Sequence, residues 1–289
     1  MATTIATDLS NGQIAMVAAA RYTYESKSLT PQLFTRMQLE QGEKSKYIPK
    51  FGKITAADLT DGVDMTEAQQ LSITGTTHST DEAGCKVIIT KKLRHQLKED
   101  AYRAAGIVVG NGMNKKIDQD GLTLFSGLDI AIGAAGSTFS LNYLQAAVSQ
   151  CLGQEEPVPE PIVCVIHPYH LHNVVGEIAT PASTTVAMTM PDAIQSAALL
   201  QHFRGIEKLF ATRIYATARI TADTADDAYG AVFAKEAFIY LVGWGPDNWI
   251  VYKDSLRGWE IGIVADYAMV EEDGSYGRAL LFDASAPVS

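Results

Sequence analysis

Between Thr90 and Phe125 the apolar side chains recur at the spacing of a helix. Leu93, Leu97, Ala101, Ala104, Val108, Ile117 and Leu124 fall mostly on one face, at steps of three, four or seven. Thr90 can serve as the N-cap. A helix over this stretch would hold about 35 residues and span roughly 50 Å at 1.5 Å per residue, more than a usual globular helix. Gly106, Gly110 and Gly112 lie inside it, and each weakens a helix by about 1 kcal/mol relative to Ala. A bend is therefore expected there, with two consecutive helices as the alternative.

The period changes before Thr90. Leu71, Ile73, Gly75 and Thr77 alternate with polar residues, and so do Ala83, Cys85, Val87 and Ile89, which predicts strands. The intervening HSTDEAG reads as a turn. The earlier YIPKFGKI reads as another extended piece, which Pro49 confines to an edge or a strand start. From Thr55 to Gly84 the large apolar residues are Leu59, Val63, Met65, Leu71 and Ile73 alone. A hairpin with so little to bury is marginal in water. Its expected support is another surface, such as a second subunit; a solvated flap on its own domain is the alternative. In residues 1–40 the apolar islands Ile14, Met16, Val17 and Leu33, Phe34, Met37 are separated by Pro31. They cannot build a core of their own, so this segment reads as an arm lying on something else.

IGAAGS, residues 132–137, reads as a linker into a second domain. SLNYLQAAVSQCL predicts a helix with Leu141, Leu144, Val148 and Cys151 on one face, and QEEPVPEP a loop. IVCVI predicts a fully apolar strand. PYHLHNVVGEIA predicts a helix with Pro168 at its first position and a stripe of Leu171, Val174, Val175 and Ile178. A loop and a helix through AIQSAALLQ follow. GIEKLFATRIYA and YGAVFAKEAFIYLV are strand-like. WEIGIVADYAMV and YGRALLFDA alternate well and flank EEDGS, whose Asp273-Gly274 pair reads as a hairpin turn.

Composition narrows the function classes. Of the 289 residues 47% are hydrophobic and 19% charged, which is ordinary globular make-up. No apolar run is long enough to span a bilayer, and the N-terminal apolar stretch lacks the basic flank of a secretory signal. Cys85, Cys151 and Cys164 fit neither a disulfide framework nor a zinc spacing, so free thiols are expected. Residues 1–130 carry 15 basic and 15 acidic side chains, whereas 131–289 carry 8 and 18, the whole net charge of −10. Direct binding of nucleic acid needs a surplus of cations that this chain lacks; the acidity reads first as solubility.

VCVIHPYHLH places His167, His170 and His172 within six positions, the material of a metal-dependent hydrolase. The spacing argues otherwise. His170 and His172 lie two apart on the predicted helix and do not face each other. The stripe of Leu171, Val174 and Val175 should turn both away from the core. No HExxH, GxSxG, GxxxxGK[ST] or strand-borne GxGxxG accompanies them. VVGNGM falls inside the helical pattern, and GWGPDNW reads as a packed turn before a stacking platform. EEDGS and TADD read as solvated turns. The expectation is no catalytic residue, no cofactor and no metal.

The succession of an unsupported arm, a long hairpin, a long helix, an α/β domain and late antiparallel strands resembles the major capsid proteins of tailed phages, with their Hong Kong ninety-seven-like fold. YIPKFGKITAADLTDGVDMTEAQQLS is similar to the start of their extended loop. VIITKKLRHQ through KKIDQDGLTLFSGL is similar to the strand and spine helix that follow. FSLNYLQAAV with IVCVIHPYHLHNVV is similar to the helix and strand–His-Pro–helix of their axial domain. The resemblance covers about residues 14–283.

It implies an α+β fold in five parts: an N-terminal arm at 1–40, an extended β-hairpin loop at 41–89, a long spine helix with the peripheral domain at 90–136, an axial domain at 137–235, and C-terminal strands at 236–289 completing the axial and peripheral domains. The arm and loop would lie on neighbouring subunits, the loop through Tyr47, Ile48, Pro49, Phe51, Leu59, Val63, Met65, Leu71 and Ile73. The implied function is a non-enzymatic structural protein that self-assembles through pentamers and hexamers into an icosahedral head enclosing double-stranded DNA. The implied location is the virion, with assembly in the host cytoplasm. Portal, scaffolding and decoration proteins are its implied further partners. No fused scaffolding segment and no Lys–Asn crosslinking pair is assigned.

Overall fold

A computed structural model describes residues 28–52, 70–92, 100–155, 157–179, 208–209 and 212–287, together with 54, 56, 58, 61 and 62. The expected arm up to residue 27, the start of the long helix at 93–99 and the AIQSAALLQ helix lie outside the described residues.

The fold is mixed α+β, with three sheets among the described residues. A short helix α1 (Thr30–Leu33) leads into β1 (Thr35–Gln38). Strands β2 (Ser45–Phe51) and β3 (Ile73–Ser79) pair antiparallel as a two-stranded ribbon. β4 (Asp81–Thr90) follows after Thr80 alone, and helix α2 (Asp100–Thr123) comes next. Strand β5 (Ala131–Gly133), helix α3 (Leu141–Leu152), strand β6 (Ile162–Ile166) and helix α4 (Pro168–Ala179) form the middle of the chain. Strands β7 (Lys208–Leu209), β8 (Thr212–Ala216), β9 (Asp227–Ala234), β10 (Phe238–Lys253), β11 (Gly258–Glu271) and β12 (Gly277–Asp283) complete it. One sheet has the order β1-β10-β11-β4 and another β5-β12-β9-β6-β8-β7.

Two expected turns do not close hairpins. HSTDEAG joins two strands of different sheets: β3 pairs with β2, from Ser45↔Ser79 to Phe51↔Ile73, while β4 pairs with β11. EEDGS likewise carries the chain from β11 in one sheet to β12 in the other. β10 and β11 do form a hairpin, whose ladder ends at Lys253↔Gly258, with Arg257 in the connecting turn at φ 45°. GWGPDNW lies within β10 as two one-residue bulges, between Val242 and Trp244 and between Trp244 and Asp247.

Burial explains the patterns. β6 is apolar throughout because both faces of its sheet are covered. Ile162, Cys164 and Ile166 pack with Leu144, Val148 and Val174 of α3 and α4. Val163 and Val165 point the other way, into a core with Phe34, Phe125, Phe233 and Phe238. That second core extends under α2, whose Val109, Met113 and Ile117 are buried against Tyr240, Ile263 and Tyr267 of the four-stranded sheet. α2 is one helix across Gly106, Gly110 and Gly112, so the two-helix alternative fails within the described residues. Gly121 is needed for contact: a Cβ there would lie 2.8 Å from Thr30 and 3.1 Å from the Phe34 ring.

The start of the described chain is fastened by polar groups. Asp118 of α2 is buried and accepts the N–H groups of Leu29 (2.9 Å) and Thr30 (3.0 Å) and the Thr30 hydroxyl (2.9 Å). Its other oxygen takes the Arg219 guanidinium, which also donates to Asn114 O at 3.2 Å. Ser28 donates to Asn114 Oδ1 at 2.6 Å. One carboxylate thus joins three segments far apart in sequence.

Candidate functional site

β6 delivers His167 to the mouth of α4, where its Nδ1 accepts the Tyr169 N–H at 3.3 Å as a cap would. His172 is exposed. His170 is fully buried, contrary to the outward position expected for it. Phe139 and Phe282 pack against its ring from outside the helix, with centroids 5.6 and 6.3 Å away. The buried face of α4 therefore centres on His170 and Val174, four residues apart, while Leu171 and Val175 are only half-buried. His170 Nε2 lies 3.3 Å from Phe282 O, and Nδ1 has no partner among the described residues. Its ring centroid is 6.1 Å from that of His167. The three side chains do not converge, and among the described residues no group of three or more His, Cys, Asp and Glu is placed to hold a metal ion. Burial also raises the thiols of Cys85, Cys151 and Cys164.

Burial lowers the His170 imidazole to about 4, against a smaller opposing effect of the Phe282 carbonyl. The unfolded chain takes up this proton near pH 6.5 and the folded chain only near 4. Stability from His170 is thus present above about 6.5 and is lost as pH falls toward 4, to a total of roughly 3 kcal/mol. Urea unfolding of the wild type and His170→Phe at pH 7 and pH 4 is expected to show the variant gaining roughly that amount relative to wild type. Parallel pH dependences would contradict it.

The ribbon is the other candidate. Tyr47, Phe51, Leu71 and Ile73 are 53%, 61%, 45% and 56% exposed, and Ile54 beyond them 58%. Pro49 is exposed opposite Gly75. Ile48 differs: it is buried with Leu39, Ile239 and Leu241 of its own chain, so it anchors the middle of β2 and is not free to meet a neighbour. Lys50 adds an ion pair to Asp273 at 2.5 Å. Leu59, Val63 and Met65 lie outside the described residues. A second apolar surface escaped the sequence reading. On the face of the four-stranded sheet away from α2, Ile88, Trp244 and Val251 are 40%, 38% and 44% exposed, and the Trp249 indole lies over Gly262. The alternation in β4 marks the opposite face, where Ala83, Cys85 and Val87 pack toward α2, and the bulges in β10 hide the place of its tryptophans.

No family model and no curated protein matches the sequence. Solved structures match closely in fold. The capsid of Ralstonia phage GP4 is 13% identical with a TM-score of 0.65, over 92% of each chain. Microbacterium phage Oxtober96 is 10% identical with a TM-score of 0.66, over 89% of this chain and 92% of that one. A virus-like particle from Pyrococcus furiosus is 11% identical with a TM-score of 0.58, over 92% and 98%. At these identities the likeness is one of fold, and it spans almost the whole chain.

Proposed function

We propose that the protein is the major capsid protein of a tailed phage, a structural subunit that assembles with copies of itself into an icosahedral shell around double-stranded DNA. The observation that carries this reading is the ribbon: a chain with a shell-protein fold holds Tyr47, Phe51, Leu71 and Ile73 in solvent on a ribbon fastened to its own body by Ile48 and Lys50. Apolar side chains held out in this way find burial on another copy. The contact joins unlike surfaces of identical chains, which closes rings when the rotation allows.

On this reading residues 1–40 are the arm, 41–89 the extended loop, 90–136 the spine helix with the peripheral domain, and 137–235 the axial domain. Residues 236–289 complete the axial and peripheral domains. The site of action is the virion, with assembly in the host cytoplasm and with portal, scaffolding and decoration proteins as partners. The acidic second half keeps packaged DNA from adhering to the wall. The protein performs no chemistry, and the hydrolase alternative is set aside because His170 is buried while His172 is exposed.

Sedimentation velocity across a hundredfold range of concentration tests the proposal. The expected result is a monomer or small ring that gives way to a fast, shell-sized species as concentration rises. A single small species at every concentration would contradict it.

A further inference from the structure

At one end of the six-stranded sheet a groove of about 600 Å³ opens between α1, the end of α3 and the starts of β6 and β8. Leu33, Leu152, Ile162 and Tyr215 supply apolar walls, and Leu152 is 44% exposed. Arg213 and Lys235 line it as well, with Glu160 as the one carboxylate among the described lining residues, so that described lining is net positive. That charge stands out in a region with only 8 basic residues against 18 acids. Arg219 is bound to Asp118 and Arg278 is buried, but Arg213 and Lys235 are exposed and make no ion pair among the described residues. The groove suits a segment that carries apolar side chains between carboxylates.

The loop between β2 and β3 carries such a segment. Residues 54–67 read ITAADLTDGVDMTE, with Ile54, Leu59, Val63 and Met65 set among Asp58, Asp61, Asp64 and Glu67 and no Lys or Arg. Ile54, Asp58 and Asp61 are exposed at the far end of the ribbon. We infer that the groove is the receptor for the ribbon end of a second copy, with Asp58 and Asp61 facing Arg213 and Lys235. The inference rests on the shell reading and specifies one of its contacts. Paired opposite charges across an interface set partner and register, and the head-to-tail form of the contact lets each copy give and receive.

Charge reversal tests it. Arg213→Glu with Lys235→Glu, and separately Asp58→Lys with Asp61→Lys, are each expected to lower shell yield at least tenfold, with far-ultraviolet circular dichroism and melting unchanged. Combining all four substitutions is expected to restore yield to within threefold of wild type. Full yield from either pair, or no rescue by the combination, while wild-type shells form, would overturn the contact and leave the shell reading standing. A wild type that forms no shells would overturn both. A second measurement needs no loss of assembly. Copies carrying Lys235→Cys co-expressed with copies carrying Asp58→Cys should yield an oxidised dimer that neither variant gives alone. Shells without that dimer would also overturn the contact.

Discussion

Replacing Asp118 with alanine is expected to cost about 3–5 kcal/mol of folding stability, the usual loss when one partner of a buried ion pair is removed. The carboxylate is 1% exposed. Its loss takes the carboxylate from Arg219 and leaves the N–H groups of Leu29 and Thr30 without their acceptor. Those N–H groups begin α1, a four-residue helix with no strength of its own. With α1 loosened, Phe34 loses its fixed place in the aromatic core, where it stacks on Phe238 at 4.9 Å and meets Phe233 edge-on at 5.9 Å. Since whole domains are stable by only about 5–15 kcal/mol, the variant should sit near the unfolding threshold. Asp118→Asn keeps one acceptor oxygen but not the charge, so about 1–3 kcal/mol is expected from it. Urea denaturation of the three proteins checks the order. An alanine variant within about 0.5 kcal/mol of wild type, the range of ordinary surface changes, would show that the node is not what fastens the start of the chain.

The second large effect is on assembly. Phe51→Asp, alone or with Leu71→Asp, is expected to leave the fold intact and abolish shells. Phe51 is mostly, and Leu71 nearly half, in solvent within one chain, so the change in folding stability should stay within about 0.5 kcal/mol. A carboxylate forced into an apolar contact costs on the order of 1–3 kcal/mol or more, and a shell repeats that cost at every copy. Ile48→Asp is the contrasting control. Ile48 is 7% exposed in its own chain, so that variant should unfold rather than remain a sound monomer. Electron microscopy beside thermal melts separates the two outcomes. Normal shells from Phe51→Asp would remove the ribbon from the assembly contacts.

How much of this was legible in the sequence follows from what periodicity encodes. Alternation tells which face a side chain takes, not which strand lies beside it. Strand character at Ile73–Ser79 and Asp81–Thr90 was therefore readable, but the pairing of β3 with β2 was not, nor the passage of HSTDEAG and EEDGS between sheets. IVCVI was readable as a core strand because both its faces are covered. α3 was readable because Leu144, Val148 and Cys151 do face one core. His170 was misplaced because the residues that bury it, Phe139 and Phe282, come from distant parts of the chain. The exposed apolar ribbon was the most telling signal. A shortage of private core can be counted along the sequence, whereas the Asp118 node and the open face around Trp244 and Trp249 exist only once the chain has folded.

The most direct test of the central claim is cryo-electron microscopy of the protein produced without any other phage protein. The expected result is closed shells or capsomer rings with five- and six-fold symmetry, in which Tyr47, Phe51 and Ile73 of each copy are buried against a neighbour. Particles of a single chain, or a compact oligomer that leaves those three side chains in water, would contradict it.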